Sequence, residues 1–141
     1  MVPIHFKKIN NSATVPTYGS EKSCCMDLYA CNEDVIIQPH TTIKIGTGLS
    51  FQPPSGYMLQ ILQRSGLASK GIFPMGGIID EDYRGEVLIA LYNSTDKPYA
   101  VHNGDRIAQI AVRQYEQANL IEVNELDSTD RGDGGFGSTG K

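Results

Sequence analysis

The chain has 141 residues and a net charge of −4, with 40% hydrophobic and 20% charged residues. That length supports one domain with one ordinary core. The acidic balance argues against a nucleic-acid-binding face, and no run is long or apolar enough to span a bilayer.

The start, Met1-Val2-Pro3-Ile4-His5-Phe6-Lys7-Lys8, lacks the apolar core of a signal peptide. The three cysteines, Cys24, Cys25 and Cys31, crowd one short segment and are odd in number. They fit neither a disulfide framework nor the paired knuckles of structural zinc. A soluble, reduced, intracellular chain is expected. Asp27 follows Cys24-Cys25-Met26 and precedes Leu28-Tyr29-Ala30. A carboxylate in so apolar a context is either hydrogen-bonded to nearby backbone or placed for chemistry.

Short apolar runs then alternate with turn residues. They are Val35–Ile37, Thr42–Ile45, Leu49–Phe51, Tyr57–Leu62, Val87–Tyr92, Tyr99–Val101 and Ile107–Val112. This spacing predicts an all-β sandwich or barrel. Asn103-Gly104 reads as a tight hairpin turn between the last two runs. The single predicted helical turn is Ser65–Lys70, stopped by Gly71.

Arg64-Ser65-Gly66 follows a strand and opens that turn. An arginine, a hydroxyl and first-turn N–H groups suit an anion; the plainer reading is an ordinary N-cap. Gly77-Ile78-Ile79-Asp80-Glu81-Asp82-Tyr83-Arg84-Gly85 packs three carboxylates between glycines. Acidic residues are poor strand formers, so the cluster is expected at a hairpin tip. There a carboxylate beside Ile78 and Ile79 can serve as a general base, or be a solvated acidic turn. In Gly104-Asp105-Arg106-Ile107-Ala108-Gln109, Asp105 and Arg106 are expected to pair, and Gln109 faces either a site or solvent.

Beyond Leu126 the composition changes, dividing a body (1–126) from a polar tail (127–141) whose one large apolar side chain is Phe136. Such a tail is expected to be mobile when nothing is bound. Phe136 is either incidental or the anchor of a segment that orders over a ligand; its flanking glycines favour the anchor. Gly135–Lys141 partly matches a phosphate-binding P-loop, but the hydroxyl and helix required after the lysine are missing. Arg131-Gly132-Asp133 spells an adhesion tripeptide, a match too short to weigh.

Taken in order, five segments resemble the five motifs of trimeric dUTPases: Cys25–Ala30, Arg64–Leu67, Gly77–Gly85, Gly104–Gln109 and Arg131–Gly140. The resemblance runs from about Pro3 to the last residues, and its third and fifth motifs are long. It implies a distorted β-barrel or jelly roll, assembled as a homotrimer with a swapped C-terminal arm. Three active sites would lie at subunit interfaces. It implies hydrolysis of dUTP to dUMP and pyrophosphate with Mg2+, which keeps uracil out of DNA and supplies dUMP for thymidylate synthesis.

Residue by residue, the resemblance makes Asp80 the carboxylate that deprotonates the attacking water. Tyr83 packs under the deoxyribose, and main-chain groups around Gly77, Ile79 and Leu88 read uracil. Arg64, Ser65 and Gly66 hold the α- and β-phosphates, with Gln109 near the attacking water. Arg131 meets the γ-phosphate, Phe136 stacks on uracil, and Gly137, Ser138 and Thr139 contact phosphate. Asp27 lies near the metal–water shell without binding the metal, which the phosphates and water hold.

Two departures stand out. Cys24 and Cys25 replace a small residue and a glycine, and Gln63 replaces the proline before the arginine. If the glycine has positive φ, cysteine there is strained; if it only allows close packing, a thiol fits. The rival readings are a dCTP deaminase of the same fold, a regulatory nucleotide-binding protein and a structural barrel. The Gly77–Gly85 motif fits dUTPase better than the first.

Overall fold

The computed structural model describes residues 1–135; Phe136, Gly137, Ser138 and Thr139 lie outside the described residues. Twelve strands and one short helix appear in the order β1 (His5–Lys8), β2 (Thr17–Tyr18), β3 (Met26–Tyr29), β4 (Val35–Ile37), β5 (Thr42–Gly46), β6 (Leu49–Gln52), β7 (Tyr57–Leu62), α1 (Ser65–Ala68), β8 (Ile72–Pro74), β9 (Ile78–Ile79), β10 (Leu88–Asn93), β11 (Tyr99–Val101) and β12 (Arg106–Gln114). No helix among the described residues is long and apolar enough to cross a membrane.

The strands form four antiparallel sheets, ordered β1-β6, β5-β10-β8, β11-β4 and β2-β3-β12-β7-β9. The all-β expectation holds, and no sheet of the described residues closes on itself. Alternation builds the core in β10, while β12, whose register shifts between Arg106 and Ala108, buries adjacent pairs. In β10, Ile89 and Leu91 point inward; in β12, Ile107, Ala108, Ile110 and Ala111 are buried. All of these but Ala111 meet Leu28, Ile37, Ile45, Leu49, Leu59, Ile72 and Val101 in one cluster. Asn93, buried at the end of β10, donates its amide to the Ile37 and Lys97 carbonyls at 3.0 and 2.7 Å, so burial leaves it satisfied.

The seven apolar runs are all strands, with shifts of a residue or two at their ends. Five strands escape the apolar pattern. β1 is exposed at all four positions and carries two lysines. β2 and β9 have two residues each, β8 ends on Pro74, and β3 holds Asp27.

Two turn expectations fail. Asn103-Gly104 does turn, with the Asp105 N–H donated to the His102 carbonyl at 3.0 Å, but β11 pairs with β4 while β12 pairs with β3 and β7. Gly104 alone has positive φ (84°), whereas a two-residue hairpin of the primed kind needs it at Asn103 too. The strands therefore diverge into different sheets. The acidic cluster is likewise no hairpin tip, since β9 pairs with β7 and β10 with β5 and β8. It is a loop that crosses from one sheet to another.

Candidate active site

Asp27, Gln109 and Leu62 face one another across β3, β12 and β7 in register. Arg64 leaves the end of β7 beside them. Its Nε donates to Asp27 Oδ1 at 2.9 Å and its Nη1 to the Arg106 carbonyl at 3.1 Å. Arg106 Nη1 reaches Asp27 Oδ2 at 3.3 Å, and Gln109 Nε2 makes a long contact to Oδ1 at 3.4 Å. Asp27 is buried, and a buried carboxylate persists only where cations and donors surround it. This one anion therefore fixes two guanidinium groups and an amide on the same edge. Gln109, half-buried, reaches towards this cluster.

The expected Asp105–Arg106 pair does not form. Asp105 Oδ2 accepts the His102 N–H at 2.8 Å, and Arg106 turns to Asp27. Neighbouring side chains at the start of a strand leave opposite faces, which separates the two. Arg106 is the partner that sequence reasoning missed; its contact joins residues 79 positions apart and has no local signal.

Arg64 also occupies the N-cap position of α1, with extended backbone (φ −87°, ψ 129°), and its carbonyl accepts the Leu67 and Ala68 N–H groups at 3.0 and 2.9 Å. No side chain caps the helix, so the plain side-chain N-cap is not what this segment makes. Leu67 buries the turn. Ser65 and Gln109 line one open cleft of about 570 Å³ with Leu62, Gln63 and Ala68, and the space beside Gly66 is open.

A second constellation surrounds the Gly77–Gly85 loop. Gly77 has φ 140°, and a Cβ on it would stand 2.8 Å from the Ile61 carbonyl oxygen, so only glycine fits. Its own carbonyl accepts the Ile61 N–H at 2.7 Å. Because β8 and β9 go to different sheets, a slot of about 150 Å³ opens between them and β10, and Gly77, Ile79 and Leu88 all line it.

Asp80 follows directly on this slot and is exposed. The Asp80 carbonyl accepts the Tyr83 N–H at 3.2 Å, and Tyr83 Oη donates to the Glu86 carbonyl at 2.9 Å. The Tyr83 ring lies over Gly85, where any Cβ would overlap it. Glu81, a residue that the sequence left unassigned, anchors the loop. It accepts the Gly56 N–H at 2.6 Å and the Ser55 hydroxyl at 3.3 Å. The Gly56 N–H, then Tyr115, hold its carboxyl below the usual range, and Glu81 in turn pushes the Tyr115 hydroxyl up. Asp80, Glu81, Asp82, Met58, Tyr115 and Gln117 line a cleft of about 390 Å³.

The two constellations lie apart on one chain. Ile79 pairs with Leu59 and Gln109 with Leu62, which puts Asp80 level with Met58, four β7 positions from Leu62. At the usual strand rise that is about 13 Å. Arg131 is exposed, and its Nε donates to the Gly134 carbonyl at 2.9 Å.

Residues 11–140 match the dUTPase family. The chain belongs to that family. The deoxyuridine 5'-triphosphate nucleotidohydrolase of Nautilia profundicola is 45% identical over 141 residues, covering 98% of this chain and 99% of that one. The dUTPase of Staphylococcus bacteriophage 80alpha, solved with dUPNHPP, superposes with a TM-score of 0.91 at 25% identity, covering 99% of both chains. A mutant dUTPase of S. aureus phage phi11, described with a structural Mg(II) ion, superposes at 0.82 with 21% identity, covering 89% of this chain and 99% of that one. These likenesses support the jelly-roll-like dUTPase fold.

The dUTPase first motif tolerates its cysteines here. His40 is the one described non-glycine residue with positive φ, so Cys25 is unstrained, and it packs in a buried position. Burial, then contact with Cys24, push its thiol up. As for metal, no three His, Cys, Asp or Glu side chains among the described residues stand together as ligands, and both Asp27 oxygens are taken by arginines.

Proposed function

We propose that the chain hydrolyses dUTP to dUMP and pyrophosphate, keeping uracil out of DNA and supplying dUMP for thymidylate synthesis. The observation that carries this reading is the slot of Gly77, Ile79 and Leu88 with Asp80 at its end. Membership of the dUTPase family and the name of a close relative support it.

In this reading the slot's main-chain groups pair with uracil and leave no room for a thymine methyl or a larger base. The Tyr83 ring, held by Gly85 and the Glu86 carbonyl, lies under the deoxyribose and excludes a 2′-hydroxyl. Asp80 takes a proton from water. The water oxygen bonds to the α-phosphorus, and the bond from that phosphorus to the bridging oxygen breaks, so pyrophosphate leaves. Arg64, Ser65 and Gly66 bind the α- and β-phosphates, and Gln109 orients the water. Arg131 binds the γ-phosphate. Phe136 stacks on the base, with Gly137, Ser138 and Thr139 on the phosphates. Asp27 acts by presenting Arg64 and Gln109 beside the hydrated phosphates.

Among the described residues no three potential ligand side chains stand together, and Mg2+ prefers hard oxygen ligands, so in this reading the triphosphate and water would hold it. When bound it neutralises phosphate charge, alongside Arg64 and Arg131.

We further propose a homotrimer whose residues 127–141 form an arm closing over a neighbour's site. The separation of Asp80 from the Arg64 edge supports a site shared between chains. So do the exposed Leu120, Ile121 and Leu126, apolar side chains that a single chain leaves in water. Three free thiols support an intracellular setting.

The test is pyrophosphate release with Mg2+ from dUTP beside dCTP, dTTP and UTP, for the native chain and Asp80→Asn. Release from dUTP alone, reduced roughly 10²–10⁴-fold in the variant, is expected for a lost general base. No release from dUTP would overturn the reading.

A further inference from the structure

Cys24 and Cys25 do no work in the reaction above. Cys24 is exposed, Cys25 is buried, and their sulfurs are 3.5 Å apart. Cys31 stands elsewhere, its sulfur 3.5 Å from the Ser12 hydroxyl. The pair sits immediately before β3, and Asp27 is its second residue. Asp27 in turn holds Arg64, Arg106 and Gln109.

We propose that Cys24 and Cys25 form a reversible dithiol–disulfide modification site, closed by small-molecule disulfides, and that closure displaces Asp27 and the arginines it holds. The accessible Cys24 thiolate attacks one sulfur of the small disulfide. A mixed disulfide forms and half of the reagent leaves as a thiolate. Cys25 loses its proton to solvent and attacks the Cys24 sulfur, expelling the other half. Two protein thiols are oxidised, and one small disulfide is reduced to two thiols.

The closed ring must strain the backbone. Adjacent Cα atoms stand about 3.8 Å apart, below the roughly 4.4 Å at which unstrained disulfides begin. Bringing the sulfurs from 3.5 Å to about 2.05 Å therefore moves the chain at the entry to β3. A strained bond is also easily reduced, which makes the site reversible. The site itself stands on the geometry; its effect on turnover rests on the function proposed above.

The experiment exposes the full chain to oxidised glutathione and follows intact mass, peptide mapping, the urea-unfolding midpoint and dUTP turnover. The expected result is loss of two hydrogens mapped to a Cys24–Cys25 link, with a lower midpoint. Turnover falls roughly ten- to a hundredfold, the scale of a small misplacement at a site, and returns with dithiothreitol. Cys24→Ser keeps its turnover and midpoint under oxidant, and Cys31→Ser behaves as the native chain. Glutathione adducts without the link would overturn the proposal. So would a mapped link that leaves midpoint and turnover unchanged, or a Cys24→Ser chain that loses turnover equally. If the native chain does not turn over dUTP, the functional reading fails alone, and the link and the midpoint still decide the site.

Discussion

Asp27 and Arg64 are joined by an ion pair of 2.9 Å in which 7% of the aspartate side chain and 23% of the arginine are exposed. The carboxylate is buried deeply enough to need its cations, and the arginine remains open enough to meet an anion. Asp27→Asn leaves Arg64 and Arg106 against a neutral amide. Breaking a buried pair costs about 3–5 kcal/mol, but partial exposure of both arginines screens this one, so a loss of about 1–3 kcal/mol is expected. The urea midpoint should fall accordingly, and kcat/KM with it by about tenfold or more as Arg64 loses its orientation. Unchanged values for both would remove Asp27 from its positioning role.

Gly85 matters for space alone, since its φ is not in the left-handed region. A methyl group there overlaps the Tyr83 ring and hydroxyl. Gly85→Ala should push the ring from its place and break its hydrogen bond to the Glu86 carbonyl. If that ring excludes ribose, the ratio of kcat/KM for dUTP over UTP falls by roughly tenfold or more, because a repulsive element of specificity is lost. A ratio equal to that of the native chain would show that discrimination resides elsewhere.

Glu81 gives the loop a pH dependence. The Gly56 N–H and neighbouring hydroxyls favour its charged form, so its folded-state value lies below its unfolded one. Its stabilising contribution is then present above the unfolded value and is lost as pH falls through the folded one. Glu81→Gln should lower the unfolding midpoint near neutrality. The gap between the two chains should close as pH falls below the ordinary glutamate value of about 4.3. A gap that stays constant from neutral to acid pH would mean that the Glu81 charge contributes nothing.

Much of this was legible in the order of motifs and in the apolar alternation. The runs at Tyr57–Leu62 and Ile107–Val112 announced the strand that leads into Arg64 and the strand that carries Gln109. What escaped was pairing over long distances. Whether Arg106 meets Asp105 or Asp27 depends on which strand lies beside β12, and no local pattern states that. The Asn103-Gly104 turn misled for a related reason. A glycine with positive φ reverses the chain locally, while sheet assignment depends on partners such as β4 far away in sequence. Glu81 looked like one more charge in an acidic run because its partner, Gly56, lies 25 residues earlier.

The separation of Asp80 from the Arg64 edge leads to a mixing experiment. Along β7 the levels of Asp80 and Leu62 lie about 13 Å apart, so the proposed mechanism draws its base and its phosphate-binding arginine from different chains. Asp80→Asn and Arg64→Ala chains should each be nearly inactive alone. When the two are unfolded together and refolded at equal amounts, a site drawing Asp80 and Arg64 from different chains receives both intact groups in about a quarter of cases, since each donor is the right one half the time. Recovery of about a quarter of native turnover is therefore expected, against none for a site built within one chain. Mixing the two folded chains without unfolding should recover little at first and more as subunits exchange. Absence of any recovery after refolding, with both variants shown to co-assemble, would place Asp80 and Arg64 in the same chain's site and overturn the shared arrangement.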